Sequence, residues 1–129
     1  MALFRKNTKA DGERDYERFP DDQNGAVLWH MWKEGDRLIE PREVDFSAVF
    51  PSEDSALLIA ILYLRKGFKV EVSEDEPNVK DDLNWRVTVY AVLVPTHTDI
   101  SEIEAELIEH AQEGGGQVDG WSSVFVSPS

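Results

Sequence analysis

The stretch REVDFSAVFPSEDSALLIAILYLRKGFKVEV, residues 42–72, changes its hydrophobic period twice. Val44, Phe46, Ala48 and Phe50 alternate with Glu43, Asp45 and Ser47, the period of two that marks a strand with one buried face. Pro51 stops that strand. Ser52 is placed to cap a helix, and Glu53 and Asp54 put negative charge where its dipole is positive. From Ala56 to Leu64 the apolar residues wrap most of the helix cylinder, which predicts a helix that is deeply buried or touches two surfaces at once. It runs to about Lys66, Gly67 ends it, and Phe68, Val70 and Val72 then alternate with Lys69, Glu71 and Ser73 as a second strand. A strand, a helix and a strand in this order form one βαβ unit.

The pattern repeats further along. After an acidic loop, Ser73 to Asn84, the run Trp85–Val94 sets Trp85, Val87, Val89, Ala91 and Leu93 on one face and Arg86, Thr88, Tyr90, Val92 and Val94 on the other. Pro95 closes it. Asp99-Ile-Ser-Glu102 reads as a capping box for a helix that buries Ile100, Ile103, Leu107 and Ala111, and Gly114-Gly-Gly116 terminates that helix. A last strand is expected over Gln117–Val126, with Asp119, Trp121, Ser123 and Phe125 on its outer face. The order β-α-β-β-α-β is that of a ferredoxin-like α+β sandwich, with both helices on one face of a four-stranded antiparallel sheet.

In front of this core, Asp21 or Asp22 caps a short helix in which Val27, Leu28, Met31 and Trp32 recur at helical spacing up to Gly35. Residues 1–18 are polar and mixed in charge and read as a loosely held arm, with residues 19–129 as one domain. The front helix has two possible places. It covers part of the open sheet face, or it leaves there an apolar patch of Tyr90, Val92, Trp121 and Phe125 among Glu43, Asp45, Lys69, Glu71, Arg86 and Asp119.

Charge and composition narrow the function. Among 129 residues, 26 acids face 13 bases, for a net charge of −13. Aromatic residues on an open sheet suit stacking on single-stranded RNA, yet this face lacks the basic stripe that phosphate binding requires. Direct nucleic-acid binding is therefore not expected. With no cysteine there is no disulfide, thiolate metal site or thiol nucleophile. No stretch reaches the roughly 20 apolar residues of a membrane span, and a cytoplasmic protein is expected.

Catalytic signals are absent too. His30, His97 and His110 have no metal-ligand spacing, and His97 in Pro-Thr-His-Thr reads as a loop residue near a cap. No serine sits in an activating motif, and Gly114-Gly-Gly116 follows a helix where a phosphate loop would precede one. Carboxylate pairs such as Asp21-Asp22, Glu74-Asp75-Glu76 and Asp81-Asp82 read as solvated loops. The chain is expected to be no enzyme and to use no cofactor or metal. Asp119-Gly120-Trp121 stands apart, because a glycine between an acid and a large aromatic in a strand suggests a bulge or close backbone approach.

Several stretches together resemble one family. Asp119-Gly-Trp121 after the glycine turn, the helix start Ile100-Ser-Glu-Ile-Glu, Phe19-Pro-Asp-Asp-Gln-Asn-Gly25, Pro41–Ser52 and Val94-Pro-Thr-His97 are similar to the RraB family, regulators of ribonuclease E activity, over about residues 19–126. The resemblance implies a ferredoxin-like sandwich that binds an endoribonuclease and modulates RNA cleavage, and it brings no catalytic residues. The expected partner is a ribonuclease or RNA-processing enzyme with a basic segment, and regulation is expected to be inhibitory. Expected contact residues are Trp121 and Tyr90 as anchors, with Phe125, Asp119, Glu43 and Asp45 around them. A second reading is an immunity-like acidic protein that neutralises a basic toxin or nuclease by filling its substrate channel with carboxylates.

Overall fold

The computed structural model describes residues 14–76 and 82–127. The first thirteen residues of the expected arm, and Asp81 in the acidic loop, lie outside that range. Seven elements follow one another: α1 (Gln23–Lys33), β1 (Arg42–Phe50), α2 (Glu53–Arg65), β2 (Lys69–Glu74), β3 (Trp85–Leu93), α3 (His97–Glu113) and β4 (Gln117–Ser123). The sheet order is β2-β3-β1-β4 with every neighbour antiparallel, which is the ferredoxin-like arrangement.

The alternation in residues 42–50 does what its period requires. Val44, Phe46, Ala48 and Phe50 are buried beneath the helices, as are Val87 and Val89 opposite them on β3. α2 packs over β2 and β3, and α3 over β1 and β4. Between them Tyr63 and His110 meet edge to face at 5.8 Å, and Lys66 pairs with Glu106 at 2.9 Å. Fully buried side chains such as Phe46, Phe50, Ile100 and Leu107 each contribute about 1.5–3 kcal/mol of burial. No helix among the described residues is long and apolar enough to cross a membrane.

Four local expectations are corrected. α3 starts earlier than the Asp99 capping box predicts, because the Thr96 hydroxyl accepts the Asp99 N–H at 3.2 Å, so His97 opens the helix instead of sitting in a loop. β4 ends at Ser123, which leaves Phe125 beyond the strand. In α1 the buried stripe is Gly25, Leu28 and Trp29, with Trp32 partly buried, and Val27 is exposed. The stripe turns this way because Gly25 passes against Pro20, whose carbonyl oxygen would lie 1.9 Å from a Cβ at this position. α2, fourth, is not enclosed on all sides: Leu57, Leu58, Ile61 and Leu64 reach solvent.

The position of α1 decides what the other sheet face can do. α1 packs against α3, in the helical layer, so the open face carries no element among the described residues. The alternative in which α1 folds over that face is thereby excluded. The chain leading out of α1 is held by a buried pair. Arg42 donates to both oxygens of Asp36, at 2.5 and 3.1 Å, and Asp36 also accepts the N–H groups of Leu38 and Val126. Asp36 is 1% exposed, and one side chain thus ties the α1–β1 connection to the tail after β4.

Candidate functional site

β1, β2 and β3 bring a set of polar side chains onto the uncovered face by their common alternation. Register places Asp45 opposite Tyr90 and Tyr90 opposite Lys69, so Tyr90 lies in the middle of that row. Its hydroxyl donates to Glu71 at 2.7 Å, while the Lys69 ammonium sits 4.4 Å from its ring centre and pairs with Glu43 at 3.2 Å. The hydrogen bond to Glu71, with the charges of Glu71, Asp45 and Glu43 adding to it, pushes the phenol up to about 12. Arg86 bridges Asp75 and Asp119, each at 2.8 Å. Asp75 and Asp119 together hold the guanidinium protonated more firmly than usual, Asp75 most. Two cations therefore stand among Glu43, Asp45, Glu71, Asp75 and Asp119, and the face keeps a negative excess.

Asp119-Gly-Trp121 turns this surface over the β4 edge. The register between β1 and β4 shifts at Ser47/Ala48, so that Ser47 pairs with Gly120 and Ala48 with Val118, and Asp119 is the extra residue of a β-bulge. Gly120 has φ +113°, a conformation that L side chains rarely adopt. The bulge reverses the parity of the strand. Asp119 points to the open face and Arg86, whereas Trp121 pairs with Phe46 and packs against the core. The placement of Trp121 beside Tyr90 is therefore corrected: the alternation assumed no bulge. Phe125, expected on the same face, is 42% exposed in the tail past β4.

Trp121 has a structural partner that the sequence pattern did not indicate. Its indole N–H donates to Asn24 Oδ1 at 2.8 Å, and the Asn24 amide donates to Glu104 at 2.9 Å and Ser101 at 3.2 Å. Asn24 thus joins α1, α3 and β4. Beside it runs a groove of about 580 Å³ lined by Val27, Glu104, Ile108 and Trp121, with Asp119 and Gly120 on its rim. The acidic face and this groove meet at the Asp-Gly-Trp bulge. Glu43, Asp45, Tyr90 and Asp119 come together on the open side, and Trp121 lines the groove.

His97 does meet a carboxylate. Its Nε2 lies 2.8 Å from Asp22 Oδ2 and 3.5 Å from the Ser101 hydroxyl. Both contacts address the same ring nitrogen, so the imidazole cannot relay a proton from the serine to the aspartate as a hydrolytic triad does. Asp22 is also the N-cap of α1, and the Gly25 N–H, followed by His97, holds its pKa below the usual carboxylate value. The pair docks α1 on the start of α3. Among the described residues no group of three or more His, Asp or Glu side chains is arranged to hold a metal ion.

No curated protein matches the chain. The family model described as regulator of ribonuclease activity B, RraB, matches residues 21–123, from the cap of α1 to the end of β4. It spans every element that builds the sheet, the bulge and the groove, and on that match the chain belongs to the RraB family of regulators of ribonuclease activity.

Proposed function

We propose that this domain binds an endoribonuclease of the ribonuclease E type through a basic segment of that enzyme and lowers its activity by contact, without catalysing a reaction itself. The observation that carries the reading is the uncovered face, where Glu43, Asp45 and Glu71 surround Tyr90, Asp119 extends the acidic surface beside Arg86, and no element of the helical layer intervenes. A basic segment that otherwise holds RNA phosphates finds carboxylates here instead. Their field accelerates encounter and makes it sensitive to salt. Tyr90, ringed by carboxylates and kept neutral, is the aromatic anchor, and exposed Phe125 adds apolar contact at the end of β4. Trp121 contributes by holding the β4 edge and α1 in place.

Calorimetric titration of an arginine-rich segment from a ribonuclease of this type tests the proposal. The triple variant Glu43→Lys, Asp45→Lys, Asp119→Lys is expected to bind at least about tenfold more weakly, roughly 1.4 kcal/mol. The intact domain is expected to lose affinity as salt rises and to slow RNA cleavage in proportion to occupancy. Equal affinity of a folded triple variant, or binding without any change in cleavage, would overturn it.

A further inference from the structure

α2 presents a second surface, on the helical side of the sandwich. Its inward stripe is Ala56, Ile59, Ala60 and Tyr63, all buried. At 100° per residue the opposite stripe consists of Asp54, Leu58, Ile61 and Arg65, spaced four, three and four residues apart, the spacing of a seam between paired helices. Leu58 is 70% exposed and Ile61 45%, with exposed Leu57 and Leu64 on one flank. The charges at the two ends are opposite in sign. Neither Asp54 nor Arg65 makes an ion pair or side-chain hydrogen bond among the described residues.

That arrangement is complementary to itself. We infer that α2 is a self-association surface on which a second copy of this chain packs its own α2 antiparallel about a two-fold axis. The axis passes between residues 59 and 60, setting Leu58 against Ile61 of the other copy and Asp54 against Arg65, each pair twice. A parallel pairing would stack like charges at both ends. Copies carrying −13 each repel one another over most of their surface, and this stripe, apolar with one charge of each sign, is a place where they can approach. An arginine-rich segment fits it less well, because Arg65 and Lys66 occupy one end. One helix per copy buries less than the roughly 800 Å² per partner of a stable interface, so the dimer is weak and reversible.

Sedimentation of the full chain is the test. The weight-average mass is expected to rise from 14.7 kDa towards twice that value as concentration increases to the order of 1 mM, the range of weak association. Leu58→Lys should abolish the rise. Asp54→Arg alone and Arg65→Asp alone should each weaken association at least tenfold, since each sets like charges together at both contacts. An equimolar mixture of these two variants should recover it, because an arginine then faces an aspartate at both contacts. Circular dichroism verifies folding, and the mixing experiment still decides the matter if Leu58→Lys unfolds. A wild-type mass that stays monomeric, or a mixture no more associated than its parts, overturns the inference. If the chain is monomeric and Leu58→Lys instead weakens capture of the arginine-rich ribonuclease segment, the stripe belongs to that partner and the inference also fails.

Discussion

Replacing Asp36 by Asn is expected to be the most damaging conservative change in the protein. Asp36 accepts four hydrogen bonds, two from Arg42 and one each from the N–H groups of Leu38 and Val126, at 1% exposure. The Arg42 side chain is itself only 5% exposed and donates also to the carbonyl of Val124. An amide at position 36 keeps the volume but leaves a buried guanidinium without its counter-charge and turns one acceptor into a donor. Breaking a buried pair in this way costs about 3–5 kcal/mol. With a urea slope of about 1–3 kcal/mol per molar, the unfolding midpoint should fall by about 2 M at pH 7. The pH dependence supplies a second reading. Burial pushes the Asp36 carboxyl up, but the Arg42 fork and the two backbone N–H groups outweigh it and hold the pKa below its ordinary value of 3.8. Below that value the unfolded chain binds the proton more readily than the folded one, so this stabilisation is complete above about pH 5 and is lost as pH falls through the folded pKa. The gap between wild type and Asp36→Asn should therefore be constant from pH 5 to 8 and narrow below about pH 4. Urea titrations followed by tryptophan fluorescence at each pH give both numbers. A loss under about 1 kcal/mol at pH 7, or a gap that does not close in acid, would refute the assigned role of the pair.

Four smaller predictions test other contacts. Tyr63→Phe should change stability by less than about 1 kcal/mol in urea titration, because the buried hydroxyl makes no hydrogen bond of ordinary geometry and faces the Glu106 carboxylate, which Lys66 already holds. Gly25→Ala forces a Cβ against the Pro20 carbonyl and should cost at least about 2 kcal/mol in the same assay. Trp121→Phe keeps the packing and loses the bond to Asn24, so it should cost about 1 kcal/mol and speed amide exchange in α1 more than in α2. Glu71→Gln should bring the Tyr90 phenol titration from about 12 back towards 10, as read by absorbance; an unmoved midpoint would remove Glu71 as the main cause.

Residues 42–50 show how well a period of two survives into the fold. Their alternation places Val44, Phe46, Ala48 and Phe50 inside and Glu43, Asp45 and Ser47 on the open face, and Trp85–Leu93 behaves alike. Tyr90, Glu43 and Asp45 were placeable on one surface for that reason. The same logic failed in β4, where one extra residue at Asp119 moved Trp121 to the other face. The glycine between an acid and an aromatic signalled a bulge there, but a bulge's effect on parity depends on where the neighbouring strand resumes its hydrogen bonds, which is a property of the pair.

Element order, the faces of β1, β2 and β3 and the acidic surplus thus follow from the sequence alone, because periodicity and charge act within a few residues or over the whole chain without regard to geometry. Tertiary structure alone decided that α1 docks on α3 through Asn24 and Asp22, that Asp36 finds Arg42 and Val126, and that the far side of α2 stays bare. Each of these outcomes depends on which surfaces meet in space. Local patterns show that a helix has an apolar face, and only packing determines which part of that face is covered.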